Sequence, residues 1–460
     1  MITGLVTFNE EKCVFYLENF ELRLEEIEDR NEYYNIKDFN KNFFFHGIES
    51  PRYLVGKDFK GRNVVFKVMP GIYREGFRTY ILKVHSYIVF NIFEISFDAI
   101  QFESEELNWF YDVENAYSFE KEHQTGEIKI ETKPFTDLEK SFDFKFNEEL
   151  INGKLNISRK VKGKVSPLNL NTELTLRFEK TTDDYDKLQK LIYLIKNVFS
   201  FLSYRKNISI NNIFLKKIDP KSGLYTKVGR LYINEPVYVE QDPISIRGKI
   251  IDIPLVEGCL GKIFERISEK EIYMRHIPDN SNIPTTPAHF VMVTAGFEWQ
   301  YDLSGGMDES THKDIEAERE LLLFLEEKIE TYTGRKKKYF RGIKSLVERR
   351  KNTLSDKIEW ALEKYIDVLD VFIRHIYNIS KEEAIPFEKI ADRIARRRNL
   401  FAHGVMTSDK DELLNNLDLR VMEWLFYVLV LESVGVSKEN IRFAIKKLFS
   451  VNVYLRPEKK

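Results

Sequence analysis

Cysteine is nearly absent from the chain: Cys13 and Cys259 are the two present, and no CxxC pair occurs. That scarcity argues against a disulfide framework and against a cysteine-bound structural zinc, and it fits a reducing, cytoplasmic setting. Excess charge of either sign is missing too. Lysine and arginine number 71 against 73 aspartates and glutamates, a formal net charge of -2, so any affinity for nucleic acid has to come from local patches. Long apolar runs are lacking. Trp424 to Leu431, bounded by Glu423 and Glu432, falls far short of the ~20 residues that span a bilayer, and Met1-Ile2-Thr3-Gly4 lacks the start of a secretion signal, so no membrane partner is expected. Ser304-Gly305-Gly306 is followed by no lysine-threonine pair and reads as a turn rather than a phosphate loop. No carboxylate and histidine cluster shows metal-ligand spacing; His276 and His289 flank a loop without cysteines. No cofactor is expected. Internal repeats and low-complexity tracts are likewise missing.

What is present is a change of period along 460 residues, a length that suggests two or three domains at ~100 to 200 residues each. Up to about residue 180 the pattern alternates with period two, as in half-buried strands. Phe142, Phe144 and Phe146 alternate with polar neighbours, as do Thr172, Leu174, Leu176 and Phe178. Val64 to Met69, Ile81 to Phe97 (as two strands), Glu127 to Thr132 and Leu155 to Val165 read likewise, with turn signals at Pro70-Gly71, Asn152-Gly153 and Lys162-Gly163. This part predicts an antiparallel sandwich or open barrel.

Thr182 and Asp183 then introduce a helical stripe of Leu188, Leu191, Ile192, Ile195, Val198, Phe199 and Leu202. Strand-like segments resume at Ile208 to Leu215 and Leu231 to Val239, with breaks at Asp219-Pro220 and Gln241-Asp242-Pro243. Pro278, Pro284 and Pro287 mark a boundary, giving a β-rich region 1–285, divisible near 170–180, and an all-α region 286–460. In the latter, Phe290, Val293, Phe297 and Tyr301 form one stripe, Leu321 to Leu325 mark a second helix, and Ile358, Leu362, Ile366, Leu369 and Ile373 a third. A fourth runs from Pro386, placed in the first turn, to Gly404 at the C-terminal cap. Leu413 to Gly435 and Lys438 to Phe449 complete the set. The expected class is α+β multidomain, a β-rich N-terminal region followed by a helical bundle.

The fourth helix carries Ala395-Arg396-Arg397-Arg398-Asn399-Leu400-Phe401-Ala402-His403-Gly404. Histidine titrates near ~6.5 and suits proton transfer to or from the oxygens of an RNA phosphodiester. The donor fork of arginine matches phosphate oxygens. On a helix, Asn399 and His403 share a face, whereas Arg398 is turned about 140° from His403. One helix alone grips a single atom poorly with both. Two copies meeting across a dimer axis, or a bend near His403, would serve better. The bland alternative is a surface arginine and a capping histidine.

Arg398-Asn399-Leu400-Phe401-Ala402-His403 resembles the R-N-x-x-x-H form of the R-x4-6-H motif of HEPN domains, helical bundles of many prokaryotic defence and toxin ribonucleases. A long β-rich part followed by a helical domain beginning near His289-Phe290-Val291-Met292-Val293 is similar to the ApeA-type antiphage HEPN proteins. The resemblance implies a metal-independent endoribonuclease; transfer and messenger RNA are the candidate substrates. It further implies dimerisation through the HEPN domain, catalytic roles for Arg398, Asn399 and His403, and a β-rich region that senses a phage-derived trigger or restrains the nuclease.

Arg396 and Arg397, with Arg393, are candidates to steer RNA phosphates, a solvated helix face being the alternative. A denser cluster, Arg335, Lys336, Lys337, Lys338, Arg341, Lys344, Arg349, Arg350 and Lys351 with Tyr339 and Phe340 interleaved, suits RNA contact, chiefly through Lys337, Lys338 and Arg341. Glu298 is a polar residue in an apolar helix, expected to be exposed, with the option of facing the site. A non-catalytic helical module that binds RNA or protein is the competing function.

Overall fold

The computed structural model describes residues 1–27, 50–75, 78–122, 126–159, 170–210, 212–235, 246–280, 286–306, 315–348, 353–405 and 412–455. The Lys162-Gly163 and Gln241-Asp242-Pro243 signals, the strand ends at Val165 and Val239, and Pro284, Arg349, Arg350 and Lys351 lie outside them. The chain is α+β and divides into two compact units, Met1–Phe199 with Asn207–Pro243, and Ser200–Lys206 with Ile244–Lys460.

The first unit holds β1 (Ile2–Phe8), β2 (Glu11–Glu18), β3 (Glu21–Glu26), β4 (Tyr53–Asp58), β5 (Asn63–Glu75), β6 (Thr79–Phe90) and β7 (Phe97–Glu103). Then come β8 (Tyr117–Lys121), β9 (Ile128–Thr132), β10 (Lys140–Phe146), β11 (Glu149–Arg159), β12 (Leu170–Thr182), β13 (Asn212–Ile218) and β14 (Tyr225–Ile233). Sheet order is β10-β11-β12-β7-β13-β14-β6-β3-β2-β1-β4-β5, and β5 pairs back onto β6. The last six of these strands therefore close a barrel, in place of the open one the alternation suggests. Closure rests on the pairing of β5 with β6 across a bulged register, which local patterning does not encode.

Alternating inward residues, among them Val6, Phe8, Cys13, Phe15, Leu24, Phe66 and Leu82, fill the barrel. Burial pushes the Cys13 thiol up to about 11, so it packs as a small apolar group. β8 and β9 form a separate hairpin. The remaining strands form an open antiparallel sheet joined to the barrel through β6, which pairs with β3 over its first half and β14 over its second.

Three local expectations change. Pro70-Gly71 is no turn; β5 runs through it, with an irregular register between Val68 and Ile72 that spares the ladder the N–H proline lacks. Asn152-Gly153 lies inside β11, where the glycine leaves room for the Phe142 ring. The hairpin turn falls instead at Asn147-Glu148, both at positive φ. Ile81 to Phe97 contains one strand, β6, and Phe97 opens β7.

The second unit is helical. Residues 246–280, placed in the β-rich region by the proline boundary, belong here with helix Leu260–Ser268, which buries Leu260, Ile263, Phe264 and Ile267. Helix Glu412–Val434 is buried continuously from Val421 to Leu431. Helices Pro287–Leu303, Leu354–Lys364, Ile366–Tyr377, Phe387–Ala402 and Lys438–Leu448 bury apolar stripes. The expected third helix is two, broken at Tyr365, whose backbone leaves the helical region at φ -106 and ψ 20. Ile315–Thr331 and Gly334–Glu348 form a helical hairpin joined by a Lys344 to Glu326 bond of 2.6 Å and a Tyr332 to Phe340 stack.

Candidate functional site

The motif helix, Phe387–Ala402, exists because Ile390, Ala391 and Ile394 bury one face. Helical period carries that face through Arg393 to Arg397, whose charges need a partner. Asp418 of Glu412–Val434 supplies it. This fully buried carboxylate accepts from Arg393 Nε at 2.8 Å and Nη2 at 2.6 Å, Arg397 Nη1 at 3.0 Å and the Tyr377 hydroxyl at 2.6 Å. Hydrogen bonding to Asp418 holds Arg393 above its already high pKa. The Tyr377 hydroxyl is raised too, first by burial and then by the carboxylate charge. The expected phosphate-steering pair is thereby divided: Arg396 is exposed, while Arg397, 7% exposed, is committed to Asp418. The reason is azimuth, since Arg397 sits one turn beyond Arg393 on the buried stripe.

Arg398 points elsewhere. Its Nη1 donates to Asn399 Oδ1 at 3.2 Å, and its Nη2 lies 3.5 Å from Glu298 Oε2 on helix Pro287–Leu303. Its Nε is buried without a hydrogen-bond partner. Glu298 is half-buried rather than exposed, and 4.0 Å away on its other side is the Lys357 ammonium, which also bonds Asp302 at 2.9 Å. Glu298 thus sits between two cations. Its backing of Arg398 reaches across a hundred residues of sequence, and the only signal for it was one carboxylate in an otherwise apolar stripe.

His403 is the C-terminal cap, exposed, at φ -92 and ψ 9. Its N–H donates to the Asn399 and Leu400 carbonyls at 3.1 and 3.2 Å. Gly404, at φ +74, donates to Phe401 O, and Val405 N–H donates to Leu400 O at 3.0 Å, the paired bonds of a Schellman ending. The Phe401 ring meets Phe290 edge-on at 5.4 Å and fixes this helix end against Pro287–Leu303. Arg398 and Asn399 are therefore bonded side chain to side chain, while His403 joins them through the backbone. Pro386 stands at the N-terminal cap instead of the first turn.

On the basic helix Gly334–Glu348, Arg335, Lys336, Lys338, Arg341 and Tyr339 are exposed and Lys337 is half-buried. A second polar centre combines Tyr204, Glu423, His289 and Arg420 beside a cavity of about 400 Å³. The Tyr204 hydroxyl donates to Glu423 at 2.6 Å, lies 3.3 Å from His289 Nε2, and is raised well above its usual pKa, first by burial. Arg420 Nη1 sits 3.0 Å from the other Glu423 oxygen.

Among the described residues, no group of three or more His, Cys, Asp or Glu side chains is placed to hold a metal ion, and no helix is long and apolar enough to cross a membrane. Comparisons with family models, with curated proteins and with solved structures found no match.

Proposed function

We propose that the chain is a HEPN-type endoribonuclease of prokaryotic antiphage defence, active as a dimer, with Arg398, Asn399 and His403 at its site. The observation that carries this reading is the division of labour on one helix. Arg393 and Arg397 are bound to Asp418, while Arg398 remains half-exposed and His403 stands exposed on the cap. In the proposed reaction the 2′-oxygen attacks phosphorus and loses its proton to a base as the 5′-oxygen leaves and gains one. The products are a 2′,3′-cyclic phosphate and a 5′-hydroxyl. His403 exchanges the proton, Arg398 stabilises the added charge on phosphate oxygens, and Asn399 orients Arg398 through their bond. Transfer and messenger RNA both present the required group. The β-rich unit would sense the trigger or restrain the nuclease.

Purified protein should cut RNA in EDTA, and Arg398→Ala and His403→Ala should each abolish cutting while leaving thermal unfolding unchanged. Persistent cleavage by both variants overturns the reading. The exposed cations and Tyr339 of the basic helix favour a second one, a non-catalytic module that binds RNA. It predicts no cleavage by the wild type, with salt-sensitive binding lost on neutralising Arg335, Lys338 and Arg341.

A further inference from the structure

The open sheet of the first unit has two unlike faces. One is apolar, burying Leu174, Leu176, Ile100, Phe102, Ile213, Leu215 and Leu231. Register assigns the other. Arg177 opposes Ala99, which opposes Lys216, which opposes Lys227. In the next row Thr175, Gln101, Phe214 and Arg230 follow one another across β12, β7, β13 and β14, and beyond them Tyr232 faces Tyr87.

Aromatic rings and cations interleave on this face. The Lys227 ammonium lies 3.6 Å from the Phe214 ring centroid, and the Arg230 guanidinium 4.9 Å from Tyr232. Arg177 lies 5.0 Å from the Tyr225 centroid, and Tyr232 stacks on Tyr87 at 4.7 Å. Arg177, Lys216, Lys227 and Arg230 outnumber Glu103 and Glu173, and Glu103 is engaged by Lys227 at 2.9 Å and by Gln101 at 2.7 Å. Burial lowers the Lys216 pKa, and Lys227 and Arg177 push it the same way against two carboxylates.

Unpaired polar atoms concentrate here as well. Gln101 Oε1, Asn171 Nδ2, Arg177 Nε and Arg230 Nε are all buried without hydrogen-bond partners, and Gln101 is fully buried at mid-face. Yet Phe214, Lys216, Arg230 and Tyr232 remain partly open to solvent and Lys227 is exposed. An unpaired donor or acceptor at such a place is costly unless water or a ligand meets it.

We propose that this sheet face binds single-stranded nucleic acid, its rings stacking on bases and its lysines and arginines meeting phosphates. Charge complementarity and stacking select this occupant: an acidic protein satisfies the cations but leaves the rings without flat partners. Phe214, Tyr225 and Tyr232 each have a cation against them, so an incoming base takes the ring face while the displaced cation reaches the neighbouring phosphate. Binding here is separate from the Arg398 to His403 motif and needs no cleavage.

The test uses the full chain and a short fluorescein-labelled oligodeoxythymidine, which lacks the 2′-hydroxyl and is inert to the proposed nuclease. Anisotropy titrations across a salt series should show Lys227→Glu with Arg230→Glu weakening binding about tenfold or more and reducing the salt slope by about one per cation lost. Phe214→Leu should weaken binding about fivefold or more with the slope unchanged. Photocrosslinking of an oligodeoxythymidine carrying 5-iodo-2′-deoxyuridine to the wild type, read by mass spectrometry, makes the result independent of how the variants fold. Adducts on β13 or β14 peptides support the proposal. Adducts confined to the helical unit overturn it, as does unchanged affinity in correctly folded variants, or competition by heparin with no response to Phe214→Leu.

Discussion

Under the proposed function, Glu298 sets the terms on which Arg398 meets a phosphate. The two side chains are 34% and 28% exposed and 3.5 Å apart, so their attraction is screened and easily exchanged for a bound anion. The carboxylate also repels that anion. Under the proposed function, Glu298→Gln should lower KM for RNA by about fivefold or less, because repulsion is relieved, and lower kcat by a similar factor, because Arg398 loses its guide. Steady-state cleavage assays separate the two. A different residue contributes to acid sensitivity. His276 is fully buried, with Phe426 edge-on at 4.2 Å and Tyr273 parallel to it. Burial lowers its pKa to about 3, against ~6.5 in an unfolded chain. Between those values the unfolded chain takes up a proton that the folded one refuses. Stability is therefore full above ~6.5 and falls by about 1.4 kcal/mol per pH unit below it, about 2 kcal/mol by pH 5. Urea titrations at pH 7 and 5 should show this loss in the wild type and a smaller one in His276→Phe.

At the level of elements, Asp418 joins three helices through Tyr377, Arg393 and Arg397. Removing one partner from a buried ionic group leaves charge uncompensated, so Asp418→Ala should cost about 3–5 kcal/mol in denaturant unfolding, far more than Arg396→Ala. The same joint shows what the chain sequence could and could not reveal. The motif helix and its end at Gly404 were legible because capping chemistry is local: a left-handed position next to a histidine can be read from neighbours. Asp418 was not singled out, since its arginines lie on another helix and only packing brings them together. Glycine misled where its role was space rather than conformation. Gly153 looks like half of an Asn-Gly turn but sits under Phe142, while Asn9-Glu10, Asn19-Phe20 and Asn147-Glu148 turn at positive φ without any glycine. The break at Tyr365 escaped for another reason: the apolar stripe continues through it in Ile358, Leu362, Leu369 and Ile373, all buried.

At the scale of the whole molecule, the angle between Arg398 and His403 on one helix becomes a prediction about assembly. If a site takes its arginine from one protomer and its histidine from the partner, mixing inactive Arg398→Ala with inactive His403→Ala subunits restores part of the activity, because a mixed dimer contains one intact pair. A site wholly within one chain restores none. Within the first unit, β6 is at once a stave of the barrel and the strand from which the open sheet hangs, hydrogen-bonded to β3, β5 and β14. Neither structure can be withdrawn without unzipping the other. Amides in the middle of β6 should therefore exchange with deuterium only on global opening of this unit, more slowly than those of the β8–β9 hairpin. A ligand that tightens the sheet would register as slower exchange inside the barrel, making the shared strand a gauge that can be read without knowing what the ligand is.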